Sequence, residues 1–171
     1  MFLGLTYAQF VGATGLAIVT RNGTPAETTF VGRHDISVTI GANRKSKSGP
    51  GQNGWLTITA KSYDPLPWNI IPVYAVGVSI DGAGFATAGI GKRFNADKLE
   101  IVPFWGPALY QRSLSSFDRK DLIQFRTGLD ISYPIGDRSK VVGGFYHISN
   151  AKITSQSAGI DVFHIGLQMV F

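Results

Sequence analysis

A histidine, a serine and an aspartate near the C-terminus have the types and the spacing of a group that could hydrolyse an ester. Ser149 lies two positions after His147, and Asp161 lies fourteen positions after His147. Alternate side chains of a β-strand share a face, so His147 and Ser149 would point the same way. If the chain turns back after Ser149, Asp161 would lie beside them on the next strand. A hydroxyl, an imidazole and a carboxylate are the nucleophile, base and orienting group of serine esterases. The alternative is a histidine at the rim of the fold, beside a loop-capping Ser149 and Asn150, because His-x-Ser pairs are common.

The segments on both sides of the polar loop 151–158 alternate as strands do. In the last segment, large apolar residues share one face, and the opposite face is mixed and partly polar. The apolar face holds Phe163, Ile165, Leu167, Met169 and Phe171, and the opposite face holds Val162, His164, Gly166, Gln168 and Val170. A ladder of large apolar residues opposite a partly polar face is typical of a strand that faces lipid in an outer membrane. We therefore interpret His164 as a member of a polar network inside a barrel.

The same alternation recurs along the chain from His34 onward, in segments of roughly ten residues separated by turn residues. The segments are 35–43, 55–63, 70–80, 84–94, 99–111, 123–133, 140–150 and 159–171. The fifth is the least regular, since Pro103 and Pro107 cannot donate to a hydrogen-bond ladder. An even number of strands can close without an exposed edge. The sequence predicts an all-β fold, an eight-stranded antiparallel transmembrane β-barrel of the bacterial outer membrane.

Composition limits the other functions. The chain has 171 residues with 44% hydrophobic, 16% charged and no cysteine, which excludes disulfides, thiol catalysis and cysteine metal sites. With three histidines we expect no structural zinc and no cofactor. The net charge of +5 favours an anionic partner. Nucleic acid is not expected, because the basic residues lie in loops without aromatic residues on which bases could stack.

The first 33 residues differ from the rest. Residues 2–19 are apolar enough for the core of a signal peptide, but the basic stretch that should precede it is missing. We predict an N-terminal extension or signal remnant over residues 1–33 and the barrel over 34–171. The alternative is that the apolar stretch is an ordinary first strand.

Both termini of such barrels lie in the periplasm, so the chain direction sorts the loops by side. Seven basic residues fall in the predicted outer loops: Arg44, Lys45, Lys47, Arg112, Arg119, Lys120 and Lys152. Lipopolysaccharide, the lipid of the outer leaflet, carries phosphates that basic loops attract. These seven residues are therefore candidate phosphate contacts. The alternative is that they are solvated loop charges.

HISNA at 147–151, followed by SAGID at 157–161, resembles the C-terminal signature of the outer-membrane lipid A 3-O-deacylases. The resemblance is carried by residues 120–171 and, through the barrel pattern, by residues 34–119. It implies an eight-stranded barrel and an esterase that removes the 3-O-linked acyl chain of lipid A without a metal. By this resemblance His147 matches the base, Ser149 the nucleophile and Asp161 the acidic member.

Two positions depart from the pattern of that family. Asp161 stands where glutamate is usual, which shortens the reach to His147 by one methylene. Ser157 stands where an asparagine is a candidate donor to the oxyanion, and Asn150 and backbone N–H groups of the loop are further candidates. Two other functions remain open from the sequence: a non-catalytic outer-membrane barrel that binds lipopolysaccharide, and a soluble ligand-binding barrel whose apolar faces point inward.

Overall fold

The computed structural model describes residues 16–19, 27–30, 34–43, 53–62, 64–113, 122–150 and 159–171. Almost all of them lie in strands, and one short 3-10 helix spans Pro67–Asn69. No helix in these ranges is long and apolar enough to cross a membrane. The strands are β1 (Leu16–Val19), β2 (Glu27–Phe30), β3 (His34–Asn43), β4 (Gly54–Ser62), β5 (Ile70–Ser79), β6 (Gly84–Lys92), β7 (Phe94–Ala96), β8 (Leu99–Gln111), β9 (Ile123–Pro134), β10 (Ser139–Ser149) and β11 (Ile160–Val170).

Eight of these strands form one closed antiparallel sheet, which confirms the predicted barrel. Successive strands pair in the order β6-β5-β4-β3-β11-β10-β9-β8, and β6 pairs with β8 to close the ring. The first and last strands of the barrel, β3 and β11, also pair with each other. At their ends the backbone N–H of His34 donates to the Phe171 carbonyl at 3.1 Å, and the N–H of Phe171 donates to the His34 carbonyl at 2.9 Å. Closure pairs the backbone N–H and C=O groups that an open sheet leaves unpaired at its edges, as hydrocarbon surroundings require. β1 and β2 pair with each other in a separate sheet, and the interpretation of residues 1–33 as an extension or signal remnant stays a prediction.

The two faces of the wall follow the predicted alternation. Apolar side chains of β3 and β11 such as Ile40, Phe163 and Ile165 are exposed on the outer surface, while Ser37, Thr39 and Gln168 are buried inside. Hydrophobic residues that point away from the barrel interior suit contact with lipid tails. A soluble barrel with an apolar cavity requires the opposite arrangement and is contradicted.

β8 is a complete strand of the barrel although it contains two prolines. Pro103 and Pro107 are both exposed on the outer face, and the ladder with β6 is interrupted between the pairs Thr87↔Ala108 and Ile90↔Trp105. In the interruption the Thr87 hydroxyl donates to the Pro107 carbonyl at 2.8 Å. The backbones approach closely there, since a Cβ added to Gly89 would lie 2.4 Å from the Trp105 carbonyl oxygen. The side-chain hydrogen bond thus satisfies the Pro107 carbonyl where the backbone ladder is interrupted, and Gly89 permits the close approach of the two strands.

One short strand was not predicted. The fourth segment was expected to run from 84 to 94, but β6 ends at Lys92 and Phe94 belongs to β7, which pairs with the start of β8. Arg93, between them, turns into the barrel, where its guanidinium lies 2.9 Å from an Asp35 carboxylate oxygen. The alternation itself continues through this point, because Gly91 and Arg93 are buried while Lys92 and Phe94 are exposed.

The barrel interior divides into a polar part and an aromatic part. The polar part holds ion pairs such as Lys61 with Asp130 at 3.1 Å and Lys140 with Glu100 at 3.0 Å. His164 Nε2 lies 3.2 Å from Asp130, which confirms its place in an interior polar network. The aromatic part surrounds the guanidinium of Arg126, which lies over the rings of Phe104 (4.3 Å), Tyr146 (4.4 Å) and Phe85 (5.4 Å).

We expect Asp130→Ala to destabilise the barrel by about 3–5 kcal/mol, because it leaves the buried ammonium of Lys61 without its counter-charge. Both side chains are almost fully buried. Urea unfolding of the refolded protein in detergent, followed by tryptophan fluorescence, measures the change. Replacing the exposed turn residue Asp137 by Ala is the control and should stay within about 0.5 kcal/mol of wild type.

The double variant Lys61→Met with Asp130→Leu removes both charges together. It should recover most of the lost stability, since a buried ion pair and an apolar pair of similar volume are often nearly equivalent. An Asp130→Ala protein that unfolds at the same urea concentration as wild type would contradict the importance of this pair.

Candidate active site at the outer rim

The end of β10 and the start of β11 lie at the barrel end opposite to the junction of His34 and Phe171. Three of the four connections at this end, residues 44–53, 112–122 and 150–159, are longer than any connection at the other end, where the chain turns through 63–69, 93–98 and 135–138, and the fourth connection at this end, 80–83, is short. Outer-membrane barrels have short periplasmic turns and long extracellular loops. The site therefore faces the outer leaflet.

His147 and Asp161 are brought into direct contact by the strand register. They are paired across β10 and β11, and His147 Nδ1 lies 2.7 Å from Asp161 Oδ1. Directly opposed residues have Cβ atoms about 4.5–5.5 Å apart, a gap that an imidazole and the short aspartate side chain can span. The shorter reach of aspartate is thus compensated by direct opposition. With side chains 35% and 50% exposed, both groups are accessible from outside the barrel.

Ser149 shares the outer face of β10 with His147. It lies two residues farther along the strand, which is roughly 6.8 Å, and opposite Phe125 of β9. Within the described part of the chain, the Ser149 hydroxyl has no hydrogen-bond partner and is free to turn. Nδ1 of His147 contacts Asp161, so Nε2 is the ring nitrogen that Asp161 does not engage.

The inner face of the same two strands is a rigid support. Tyr146, Ile148, Ile160 and Val162 alternate with the site residues and are almost fully buried in the aromatic part of the interior. The Tyr146 hydroxyl also lies within hydrogen-bonding distance, 3.1 Å, of the Thr57 hydroxyl on β4. Site residues on supported strands are held more accurately than residues on loops.

The structure describes two of the remaining predicted site residues. Asn150 directly follows β10 and is buried, and Arg112 is exposed just beyond β8 at the same end of the barrel. The other candidates lie outside the described residues: Ser157, Arg44, Lys45, Lys47, Arg119, Lys120 and Lys152. The assignments of oxyanion donors and phosphate contacts therefore stay predictions.

Three residues that lie beside the site were not predicted from the sequence. Phe125, which lies opposite Ser149, stacks on Trp105 of β8 with ring centroids 5.9 Å apart and planes inclined by 10°. Gly159 lies against the His147 ring. The alternation places Phe125 and Trp105 on the outer face, but only the register reveals that they flank Ser149. Among the described residues, no three His, Cys, Asp or Glu side chains form a group that could hold a metal ion.

Comparison with known proteins identifies a family for this chain. The family model of lipid A 3-O-deacylase (PagL) matches residues 39–170. No curated protein matches the chain in sequence.

Three solved structures have the same fold. The outer membrane enzyme PagL is 16% identical, with 79% of this chain and 98% of that chain covered and a TM-score of 0.52. Neisserial surface protein A is 10% identical, covering 81% and 97%, with a TM-score of 0.59. Ail of Yersinia pestis is 10% identical, covering 82% and 99%, with a TM-score of 0.55. These similarities show an outer-membrane barrel fold, and the family model covers most of the chain, including His147, Ser149 and Asp161. The chain belongs to the lipid A 3-O-deacylase (PagL) family and is a hydrolase of the bacterial outer membrane.

Proposed function

We propose that this chain hydrolyses the 3-O-linked acyl ester of lipid A with Ser149 as the nucleophile, His147 as the general base and Asp161 as the group that orients the imidazole. The observation that carries the proposal is the 2.7 Å contact between His147 and Asp161 on the outer face, with Ser149 next on the same strand. A carboxylate and an imidazole are costly on a surface that faces lipid, and ionisable residues kept in such places mark functional sites. Ester hydrolysis is a function that uses both groups.

Each group has a defined part in the reaction. The Asp161 carboxylate accepts the hydrogen on Nδ1, which leaves the lone pair of Nε2 available as the base. Ser149 Oγ attacks the ester carbonyl carbon while its proton passes to Nε2. When the tetrahedral intermediate collapses, the bond from the carbonyl carbon to the sugar oxygen breaks, and that oxygen takes the proton from Nε2. The acyl group is now an ester of Ser149, and lipid A leaves with a free 3-hydroxyl group.

Water completes the cycle by the same path. It attacks the acyl-serine carbonyl and gives a proton to Nε2, and the second collapse returns that proton to Ser149 Oγ. The fatty acid is released and the enzyme is restored. No redox or metal chemistry is needed for this sequence of steps.

The oxyanion needs donors near Ser149. Asn150, Ser157 and backbone N–H groups of the loop after β10 are the candidates. One well-placed donor contributes about 3–4 kcal/mol to transition-state stabilisation. A serine hydroxyl at 157 is less fixed than an amide, so we expect Ser157→Asn to raise the rate rather than lower it.

The position in the membrane fits the substrate. The outer rim is where the ester of an outer-leaflet lipid meets the barrel wall, with its acyl chains against the apolar outer face. Arg112 is exposed at this rim. We propose that Arg112 and the six basic loop residues, Arg44, Lys45, Lys47, Arg119, Lys120 and Lys152, contact the lipid A phosphates.

The test is mass spectrometry of lipid A after incubation with the refolded protein in detergent. We expect a product lighter by one 3-linked hydroxyacyl group, together with the matching free fatty acid. Fragmentation of the product locates the lost group, which should come from the 3-position and not from the 2-position. Unchanged lipid A, from protein whose folding is established by its heat-modifiable migration on gels, would contradict the proposal and favour the non-catalytic lipopolysaccharide-binding barrel.

A further inference from the structure

We infer that Gly159 is a positioning residue for the esterase proposed above: the lack of a side chain at this position leaves the space in which the His147 imidazole lies against Asp161, with its Nε2 turned toward the end of the strand where Ser149 lies. The inference rests on the proposed function for its kinetic consequence. Its structural consequence can be measured without any activity.

The strand register puts Gly159 beside the reacting groups. His147 is paired with Asp161, and Ile148 with Ile160. Continued by one residue, this register sets Gly159 opposite Ser149. The outer face therefore carries two neighbouring pairs, His147 with Asp161 and Ser149 with Gly159. His147 and Gly159 lie diagonally across these two pairs.

The His147 ring leans along this diagonal. A Cβ built on Gly159 would lie 2.3 Å from Cε1, 2.8 Å from Nε2 and 3.4 Å from Nδ1 of the ring. These three atoms form the edge of the imidazole that carries both nitrogens. The ring thus occupies the space that any side chain at position 159 would need, with its edge turned toward the end of the strand where Ser149 lies.

A methyl group at position 159 would move the ring rather than the strands. β10 is held by backbone pairing to β9 and β11, and its inner face is buried, whereas the ring is the end of a flexible side chain. To regain van der Waals distance from the methyl group the ring must move by roughly 1 Å. Such a shift breaks the 2.7 Å contact with Asp161 or carries Nε2 away from Ser149. A misplacement of this size can reduce a rate by about 10²-fold.

Other glycines of the wall have a different role. A Cβ at Gly128, Gly144 or Gly166 would lie 2.3, 2.1 or 2.0 Å from a backbone carbonyl oxygen of the adjacent strand. Those glycines permit strand packing, so their replacement would impair folding. The clash at Gly159 is with a side chain, so its replacement should leave the barrel intact.

The experiment compares Gly159→Ala with wild type and with Gly136→Ala, in refolded protein. Gly136 lies in a turn at the opposite end, where the nearest atom to an added Cβ is 3.9 Å away. We expect Gly159→Ala to lower kcat for lipid A deacylation by about 10²-fold with KM within about threefold of wild type. Gly136→Ala should keep wild-type values, and both variants should migrate as folded barrels.

A spectroscopic readout separates positioning from stability. The chain has three histidines, so ¹⁵N-histidine labelling gives a simple spectrum. The Nδ1–H proton bonded to Asp161, assigned by its loss in His147→Ala, should appear downfield in wild type and in Gly136→Ala. It should disappear or shift in Gly159→Ala.

The outcomes distinguish this inference from the proposed function. If wild type does not deacylate lipid A, the proposed function fails, and the histidine spectrum alone then decides whether Gly159 positions the ring. If wild type is active and Gly159→Ala matches it in kcat and in the spectrum, the inference is overturned. A Gly159→Ala protein that does not fold would also overturn it, because Gly159 would then serve strand packing.

Discussion

Replacing Ser149 by alanine is expected to lower the rate of lipid A deacylation by about 10⁴- to 10⁶-fold while the barrel remains folded. The reaction then lacks its nucleophile, and only binding and oxyanion donors still favour attack by water. Ser149 lies on the outer face and its hydroxyl has no hydrogen-bond partner among the described residues, so its removal leaves no buried group unpaired. The rate is measured by mass spectrometry of lipid A at several times and enzyme concentrations.

The chain offers a matched control for this change. Ser139 is the first residue of the same strand and points to the same face as Ser149. It lies about 33 Å away, at the opposite rim. Ser139→Ala is chemically identical and should keep activity within about twofold, because surface substitutions away from special features have small effects. A Ser149→Ala protein with more than about 1% of wild-type activity would exclude Ser149 as the nucleophile.

Replacing Asp161 by asparagine is expected to lower kcat by about 10⁴-fold with little change in KM. The amide has nearly the same shape, but it can donate to Nδ1 and thereby favour the wrong tautomer, with the proton on Nε2. It also cannot stabilise the imidazolium that forms when Ser149 is deprotonated. Steady-state kinetics with lipid A in mixed micelles measure both constants.

Asp161→Glu serves as the comparison, because it keeps the charge and adds one methylene. The direct opposition of residues 147 and 161 suits aspartate, but both side chains are part-exposed and a longer carboxylate has room to fold back. We expect a loss of less than about tenfold. Equal activities of the asparagine variant and wild type would mean that Asp161 does not orient the base.

The strands and their faces were predictable from the sequence because lipid contact imposes a strict period of two. Ile36, Val38 and Ile40 alternate with Ser37 and Thr39, and a register shifted by one residue would turn the first set into the barrel interior. β7 was not predictable, because it is three exposed residues and carries no alternation toward lipid. Arg93 belongs to the apparent fourth segment, but its pairing with Asp35 involves a strand far away in sequence.

The candidate site was predictable in its members but not in its geometry. Alternation puts His147 and Ser149 on one face, and the loop 151–158 brings Asp161 to the neighbouring strand. Whether Asp161 stands opposite His147 depends on the register of β10 and β11, which the alternation leaves free by steps of two residues. The same register places Gly159 against the imidazole of His147, and the sequence SAGID alone does not predict this contact.

Covalent labelling with a fluorophosphonate, a reagent that reacts with serines activated by a neighbouring base, tests whether Ser149 is the nucleophile of the folded protein. Peptide mass spectrometry locates the label. We expect one labelled site, Ser149, with labelling blocked by prior addition of lipid A and lost in His147→Ala. Labelling at another residue, or an active deacylase that takes no label at Ser149, would contradict the assignment of Ser149, His147 and Asp161 as the catalytic group.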